Sequence, residues 1–266
     1  MRTIEWLEHR FMLFDRYCLP SIKSQTCQNF KWIVLFDSTT PEKFKKKITD
    51  YQQKCPQLVP VYVAPVNGHM FAEIFREEVS RQLTQVYEPT HEPGRIRRVL
   101  TTYLDNDDAI NVRFVEDIQS RARQLAIGTF IFYVAGYQFL GDYQYLMRIN
   151  YIRNHFVSVV EQYNASTVRT IYGYGSHYYI DKIKDARIEY IRNNPMWCEV
   201  IHEKNMGNDA YFLGARMVRE KGLLREDFGL QEPVRYSAGL YMFRFLPRYC
   251  KTLVRRIGYV LFGRHW

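Results

Sequence analysis

The sequence predicts an α/β protein with a mixed, mostly parallel sheet flanked by helices. Three observations carry that prediction. Amphipathic stretches and apolar runs alternate from residue 4 to residue 125, as strands joined by helical crossovers do. The apolar runs are continuous rather than alternating, which suits strands buried on both faces. A composition of 47% hydrophobic and 24% charged residues over 266 positions supplies a sizeable core and excludes disorder as the main state.

Each element has its own signal. Ile4, Leu7, Phe11, Phe14 and Cys18 recur at helical spacing and predict a helix ending near Pro20. Lys31 to Phe36 reads as a buried strand, and Asp37 to Glu42 as a loop feeding a helix with Pro41 near its first turn. That helix carries Phe44, Ile48, Tyr51 and Cys55. Leu58 to Ala64 is a short strand, and Phe71 to Val86 marks the next helix face. His91 to Gly94 is a turn. Arg98 to Leu104 is a strand that stops at Asp105-Asn106-Asp107-Asp108, and Phe114, Ile118, Ala122 and Leu125 mark a helix. Beyond Gly128 the pattern changes. Thr129 to Leu140 reads as two β segments broken at Gly136, residues 143–163 as partly helical, and residues 167–180 as Tyr-rich and strand-like. Asn208-Asp209 reads as the cap of a helix carrying Tyr211, Phe212, Ala215 and Val218, closed by Gly222. With no internal repeat and no clear linker, one domain is expected over residues 1–266: a nucleotide-binding half (1–128), an acceptor half (129–243) and a basic tail (244–266).

Composition narrows the partners. The net charge of +9 attracts nucleic acid, anionic lipid or phosphorylated substrates. Five cysteines are scattered without CxxC spacing, which argues against zinc or thioredoxin-type chemistry and for reduced, mostly buried thiols. No run of about 18 apolar residues offers a spanning helix. The start of the sequence has Glu5 and Glu8 where a signal peptide needs an apolar core, so the expected compartment is the cytoplasm.

The chemistry concentrates in Asp105-Asn106-Asp107-Asp108. Ligands of α/β sheets bind at the carboxyl ends of strands, and three crowded carboxylates repel one another unless a cation sits among them. Hard oxygen ligands suit Mg²⁺ or Mn²⁺, which keep waters and bridge to substrate phosphates. An Asp-x-Asp at a strand end therefore points to a divalent ion holding a nucleotide diphosphate. A plain helix cap competes with this reading. An EF-hand loop does not, because Ala109 and Ile110 occupy its fifth and sixth positions.

Taken together, Pro20-Ser21-Ile22 with Gln25-Thr26, Phe30 with Trp32 to Asp37, and Tyr103 to Ile110 resemble the rhamnosyltransferase family of bacteria, which is similar to the GT-A glycosyltransferases. Asn154-His155-Phe156-Val157-Ser158, Pro195-Met196-Trp197 and Val200 to Asn205 fit the same family, so the resemblance spans roughly residues 6 to 210. It implies a Rossmann-like GT-A fold and a metal-dependent transfer of a sugar, rhamnose by the family's name, from a nucleotide-diphosphate-sugar donor to a glycan or lipid-linked acceptor. By position, Asp37 matches the Asp that contacts the nucleoside base. Asp105 and Asp107 match the carboxylates that bind ribose and metal, with Asp108 as the neighbour orienting the loop. His202 is the best match for a third metal ligand, ahead of His155 and His177, although an ordinary hydrogen-bonded histidine explains it equally well. An inverting transferase needs a carboxylate base. Asp209 fits that place, with Asp142 and Glu199 as alternatives, and a helix cap explains Asp209 as well. GT-A chains begin with a central strand before the first helix. Here Met1 falls just before that helix, so the sheet is expected to lack its first central strand, with a start placed too late as the favoured explanation.

The segment from Arg244 to Trp266 mixes Arg248, Lys251, Arg255 and Arg256 with Leu253, Val254, Ile257, Val260 and Leu261. Such a basic amphipathic helix suits peripheral attachment to an anionic membrane at its inner face. A helix packed on the domain competes. A nucleic-acid-binding protein is the main rival to the enzyme, but Tyr172 to Tyr179 lacks the leading basic residue of an RNA-recognition signature and the third glycine of a dinucleotide fingerprint. A catalytically inactive, truncated relative of the transferases is the other alternative.

Overall fold

The computed structural model describes residues 3–65, 70–87, 97–163, 168–192, 194–202, 215–237 and 239, with 250, 253 and 254 of the tail. The chain opens with helix α1 (Ile4–Leu13), capped by the Thr3 hydroxyl, which accepts from the Trp6 N–H. It continues through a π-helical stretch (Phe14–Cys18) into α2 (Leu19–Lys23). The helix was expected to end near Pro20 and instead runs past it. Proline is tolerated in the first turn of α2, and the wider π turn before it takes up a residue that lacks an N–H.

Strand β1 (Trp32–Asp37) pairs in parallel with β2 (Leu58–Val63) across the helix α3 (Glu42–Lys54). Phe44, Ile48 and Tyr51 bury the inner face of α3 against Phe11, Phe14 and Cys18. Helix α4 (Phe71–Tyr87) leads to β3 (Arg97–Thr102), and the acidic loop leads to the short β4 (Ala109–Ile110) and α5 (Phe114–Ala122). Apart from the two-residue β4, which the sequence pattern does not show, these elements follow that pattern within a few residues. The turn expected at His91 to Gly94 lies outside the described residues.

The second half departs from it. β5 (Thr129–Tyr133) and β6 (Ala135–Leu140) divide at Val134 rather than at Gly136. The stretch expected to be partly helical forms β7 (Tyr145–Asn150) and β8 (Ser158–Tyr163). Both are largely buried, so no alternation marks them as strands, and pairing with distant partners overrides local preference. Residues 171–174 and 177–182 form 3₁₀ turns instead of a strand, with Thr170 and Gly175 at positive φ. β9 (Arg187–Ile191) and β10 (Trp197–Ile201) follow. Of the helix expected over residues 208–222, Asn208 to Gly214 lie outside the described residues. Arg216–Met217 is a strand, β11, on β7, and Gly222 begins the helix α6 (Leu223–Phe228) rather than ending one.

The sheets are mixed: β1-β2, β11-β7-β6-β10-β4 and β3-β8-β5-β9. The expected mostly parallel sheet is corrected here, because among the described residues five of the eight ladders are antiparallel. The reason is local. β6 and β7 are separated by residues 141–144 alone, too short for a crossover, so they must form a hairpin. The core is centred on Trp197, whose ring stacks on Phe156 at 5.2 Å and whose Nε1 donates to the Tyr133 carbonyl at 2.7 Å.

Candidate functional site

The acidic loop leaves β3 after Thr102, and the "Pro-Ser … Gln-Thr" segment fixes its far end. The Gln25 side chain donates to the carbonyls of Ser21 and Asn111 and accepts from the Val115 N–H, while the Ile110 N–H reaches the Ser21 hydroxyl. These bonds join α2 to the exit of the loop, so the two sequence blocks are parts of one scaffold.

Asp108 points inward. One of its oxygens accepts from the Val200 N–H at 2.8 Å, and the other lies 2.7 Å from His155 Nε2. Burial alone would lower the His155 pKa, but the Asp108 carboxylate more than reverses this and lifts the imidazole to about 9. Asp105 sits 3.8 Å from the same nitrogen. Ligand atoms of Asp105, Asp108 and His155 all lie within 4.8 Å of one another.

Asp107 turns the other way. Its Oδ2 is 2.9 Å from an Arg10 guanidinium nitrogen and 3.1 Å from His202 Nε2. Burial raises this carboxylate, but the His202 hydrogen bond and the Arg10 charge together hold it below its usual range. At Asp105 burial outweighs the nearby His155 charge and pushes the pKa up. Arg10 also bonds Asn106. Asp37 ends β1 and accepts on one oxygen from the Thr39 N–H and hydroxyl. Asp37, Arg10, Asp105 and Asn106 line one groove of 310 Å³, walled by Trp6, Phe36 and Tyr103 among others.

A family model described as "Putative rhamnosyl transferase" matches residues 3–211, well over half of the chain. The chain belongs to this family. No curated protein and no solved structure matches it. The matched region of this rhamnosyl transferase family member contains every residue of the groove and of the acidic loop.

The expected site residues are thus distributed as follows. Asp37, Asp105, Asp107 and Asp108 converge on one end of the strands, and His202 joins them through Asp107. The expected metal set of Asp105, Asp107 and His202 divides: Asp107 and His202 touch, while Asp105 groups with Asp108 and with His155, the weaker sequence candidate. His177 stands behind His155, with ring centres 5.9 Å apart, and burial lowers its pKa to about 4. Glu199 is buried against Gln138, and Asp142 lines a different cavity. Asp209 lies outside the described residues. Arg10 was missed by sequence reasoning. On a helix it reads as one more surface cation, and only the fold brings it to the loop.

Carboxylate oxygens with one imidazole nitrogen form a donor set that suits Mn²⁺ or Mg²⁺, so the residues present fit a divalent ion. Asp105, Asp108 and, once it gives up its Nε2 proton, His155 would hold it, with Asp107 adjacent.

Proposed function

We propose that the chain is a metal-dependent, GT-A-like glycosyltransferase. It moves a sugar, rhamnose by the family's name, from a nucleotide-diphosphate-sugar donor to a glycan or lipid-linked acceptor. One observation carries this reading: the acidic loop at the carboxyl end of β3 opens into the same groove as Asp37 at the end of β1, the place where α/β sheets receive ligands.

In this reading residues 1–128 hold the donor. Asp37 contacts the base, and the groove's aromatic walls flank it. A bound Mn²⁺ or Mg²⁺ would supply positive charge beside the departing diphosphate. Arg10 adds a second cation at that place, and in the metal-free chain Asp108 with His155 fixes the loop's shape. Asp209 is the proposed base for the acceptor hydroxyl, with Asp142 and Glu199 as alternatives. Among the described residues β1 pairs with β2 alone, and its residues Trp32 to Asp37 line the groove. No described helix is long and apolar enough to cross a membrane. Most of the basic tail lies outside the described residues, and peripheral attachment through it belongs to this proposal.

The test is a thermal-shift titration with Mn²⁺ and dTDP, UDP or GDP, on wild type and D107N. A ligand at about 100 times its dissociation constant adds about 2.7 kcal/mol, or roughly 5–10 °C for a chain of this size. A shift that needs both metal and one nucleotide, and is lost in D107N, is expected. No shift in a folded sample refutes the donor site and favours the inactive-relative alternative.

A further inference from the structure

A second cavity, of 690 Å³, opens beside the β6–β7 turn. Its volume is in the range of small-molecule sites, and its lining is chemically one-sided. Among the described residues Arg219, Lys221 and Arg235 line it with a single carboxylate, Asp142, and Tyr143 and Tyr236 supply aromatic walls. The parts are held in place. Arg219 lies over the Tyr236 ring at 4.3 Å and donates to its hydroxyl at 2.6 Å. The Arg235 N–H bonds the Gln144 carbonyl at 2.8 Å, tying the outer wall to the hairpin turn. Tyr143 stacks on Tyr145, with centroids 6.2 Å apart.

The position of the cavity matters as much as its lining. β6 and β10 run in parallel with Leu140 opposite Ile201. Just past that pair the Gly141 N–H bonds the Ile201 carbonyl at 3.0 Å. Asp142 follows on one strand and enters the cavity. His202 follows on the other and touches Asp107. The cavity and the acidic loop therefore share the carboxyl ends of two adjacent parallel strands.

We propose that this cavity is the acceptor site and that it takes an anionic saccharide, one bearing a phosphate or a carboxylate. Guanidinium groups pair with either anion through two parallel hydrogen bonds, and the tyrosines offer flat, amphipathic surfaces to the sugar rings. The role as acceptor site rests on the glycosyl transfer proposed above; the binding chemistry does not.

The test is equilibrium binding to the full chain, in chelator so that no metal supports the donor groove. The probes are trigalacturonate, glucose 1-phosphate and neutral maltotriose, and the proteins are wild type, K221Q/R235Q and D107N. At least one anionic probe is expected to bind wild type, at least tenfold more tightly than maltotriose and at least tenfold more tightly than it binds the double variant. Binding of trigalacturonate alone identifies the carboxylate, and of glucose 1-phosphate alone the phosphate. D107N is expected to bind the saccharide as wild type does. Should the nucleotide titration fail while this pattern holds, the donor reading falls and the anionic pocket stands. No binding of either anionic probe to folded wild type, equal binding of maltotriose, or an unchanged affinity in the double variant overturns the proposal. Since Lys221 and Arg235 are both exposed, the double variant is expected to fold; R235Q alone, read in the same way, covers the case in which it does not.

Discussion

Arg10 and Asp107 stand 97 residues apart in the chain, yet their side chains meet at 2.9 Å. The ion pair places a fixed cation where a divalent ion and a diphosphate are proposed to arrive. Held at Asp107, the Arg10 charge repels a metal bound beside it and cooperates with that metal toward the phosphates. R10M is therefore expected to tighten Mn²⁺ binding in the absence of nucleotide and to weaken the binding of the nucleoside diphosphate. A partly exposed pair is worth up to about 1 kcal/mol, or roughly fivefold in each affinity. Titration of Mn²⁺ by electron paramagnetic resonance, with and without nucleotide, reads both effects. Unchanged or weaker Mn²⁺ binding in the variant contradicts this role.

The buried pair of Asp108 and His155 makes a structural prediction that does not depend on any ligand. Removing the imidazole leaves the Asp108 carboxylate buried with, among the described residues, the Val200 N–H as its hydrogen-bond donor, and breaking a buried pair on one side costs about 3–5 kcal/mol. H155F should lower the melting point by roughly 6 °C or more. D108N keeps an oxygen for the Val200 N–H and a donor for a neutral imidazole, so it should cost less than half as much. An H155F protein that melts with wild type shows that the pair contributes no stability.

How much of this was legible in the sequence follows from what each residue contacts. Apart from β4 and the helix running past Pro20, the elements through Ala122 were visible because each buries one helical face or one apolar run, and period alone reveals those. The acidic loop was visible because three carboxylates at a strand end have few structural explanations. β7 and β8 were not, since both are largely buried and show no alternation. His155 ranked low and Arg10 went unnoticed for a different reason. Their roles come from partners 47 and 97 positions away, and no local pattern encodes such contacts.

Gly136 is another such contact, this time steric. A Cβ on this residue would overlap the Trp197 indole at its fused-ring carbons. The indole cannot swing aside, being buried, stacked on Phe156 and bonded to the Tyr133 carbonyl. Overpacking of this kind costs about 1–3 kcal/mol or more, so G136A should unfold at clearly lower denaturant than wild type. W197F makes room at the cost of a cavity. In the double variant the two losses should fall well short of additive. Strict additivity in a chemical-denaturation cycle would mean that the two residues do not press on each other.

Alkaline pH should expose the tyrosine-rich core. Burial is the leading cause that lifts Tyr17 and Tyr137 to about 12, and it lifts Tyr103 and Tyr133 further. In the unfolded chain a phenol ionises near 10. The stability these groups contribute is therefore fully present below pH 10 and is lost as pH rises through about 12. Two waves of tyrosinate absorbance are expected from the 21 tyrosines. The first comes while the circular dichroism is still native, and the second coincides with its collapse, because the buried phenols ionise only as the fold opens. Y17F removes one such group and should move the second wave to higher pH. A single wave that takes up all the tyrosines with the secondary structure intact would mean that the phenols reach water in the native state, against the burial on which the sign of this pH dependence rests.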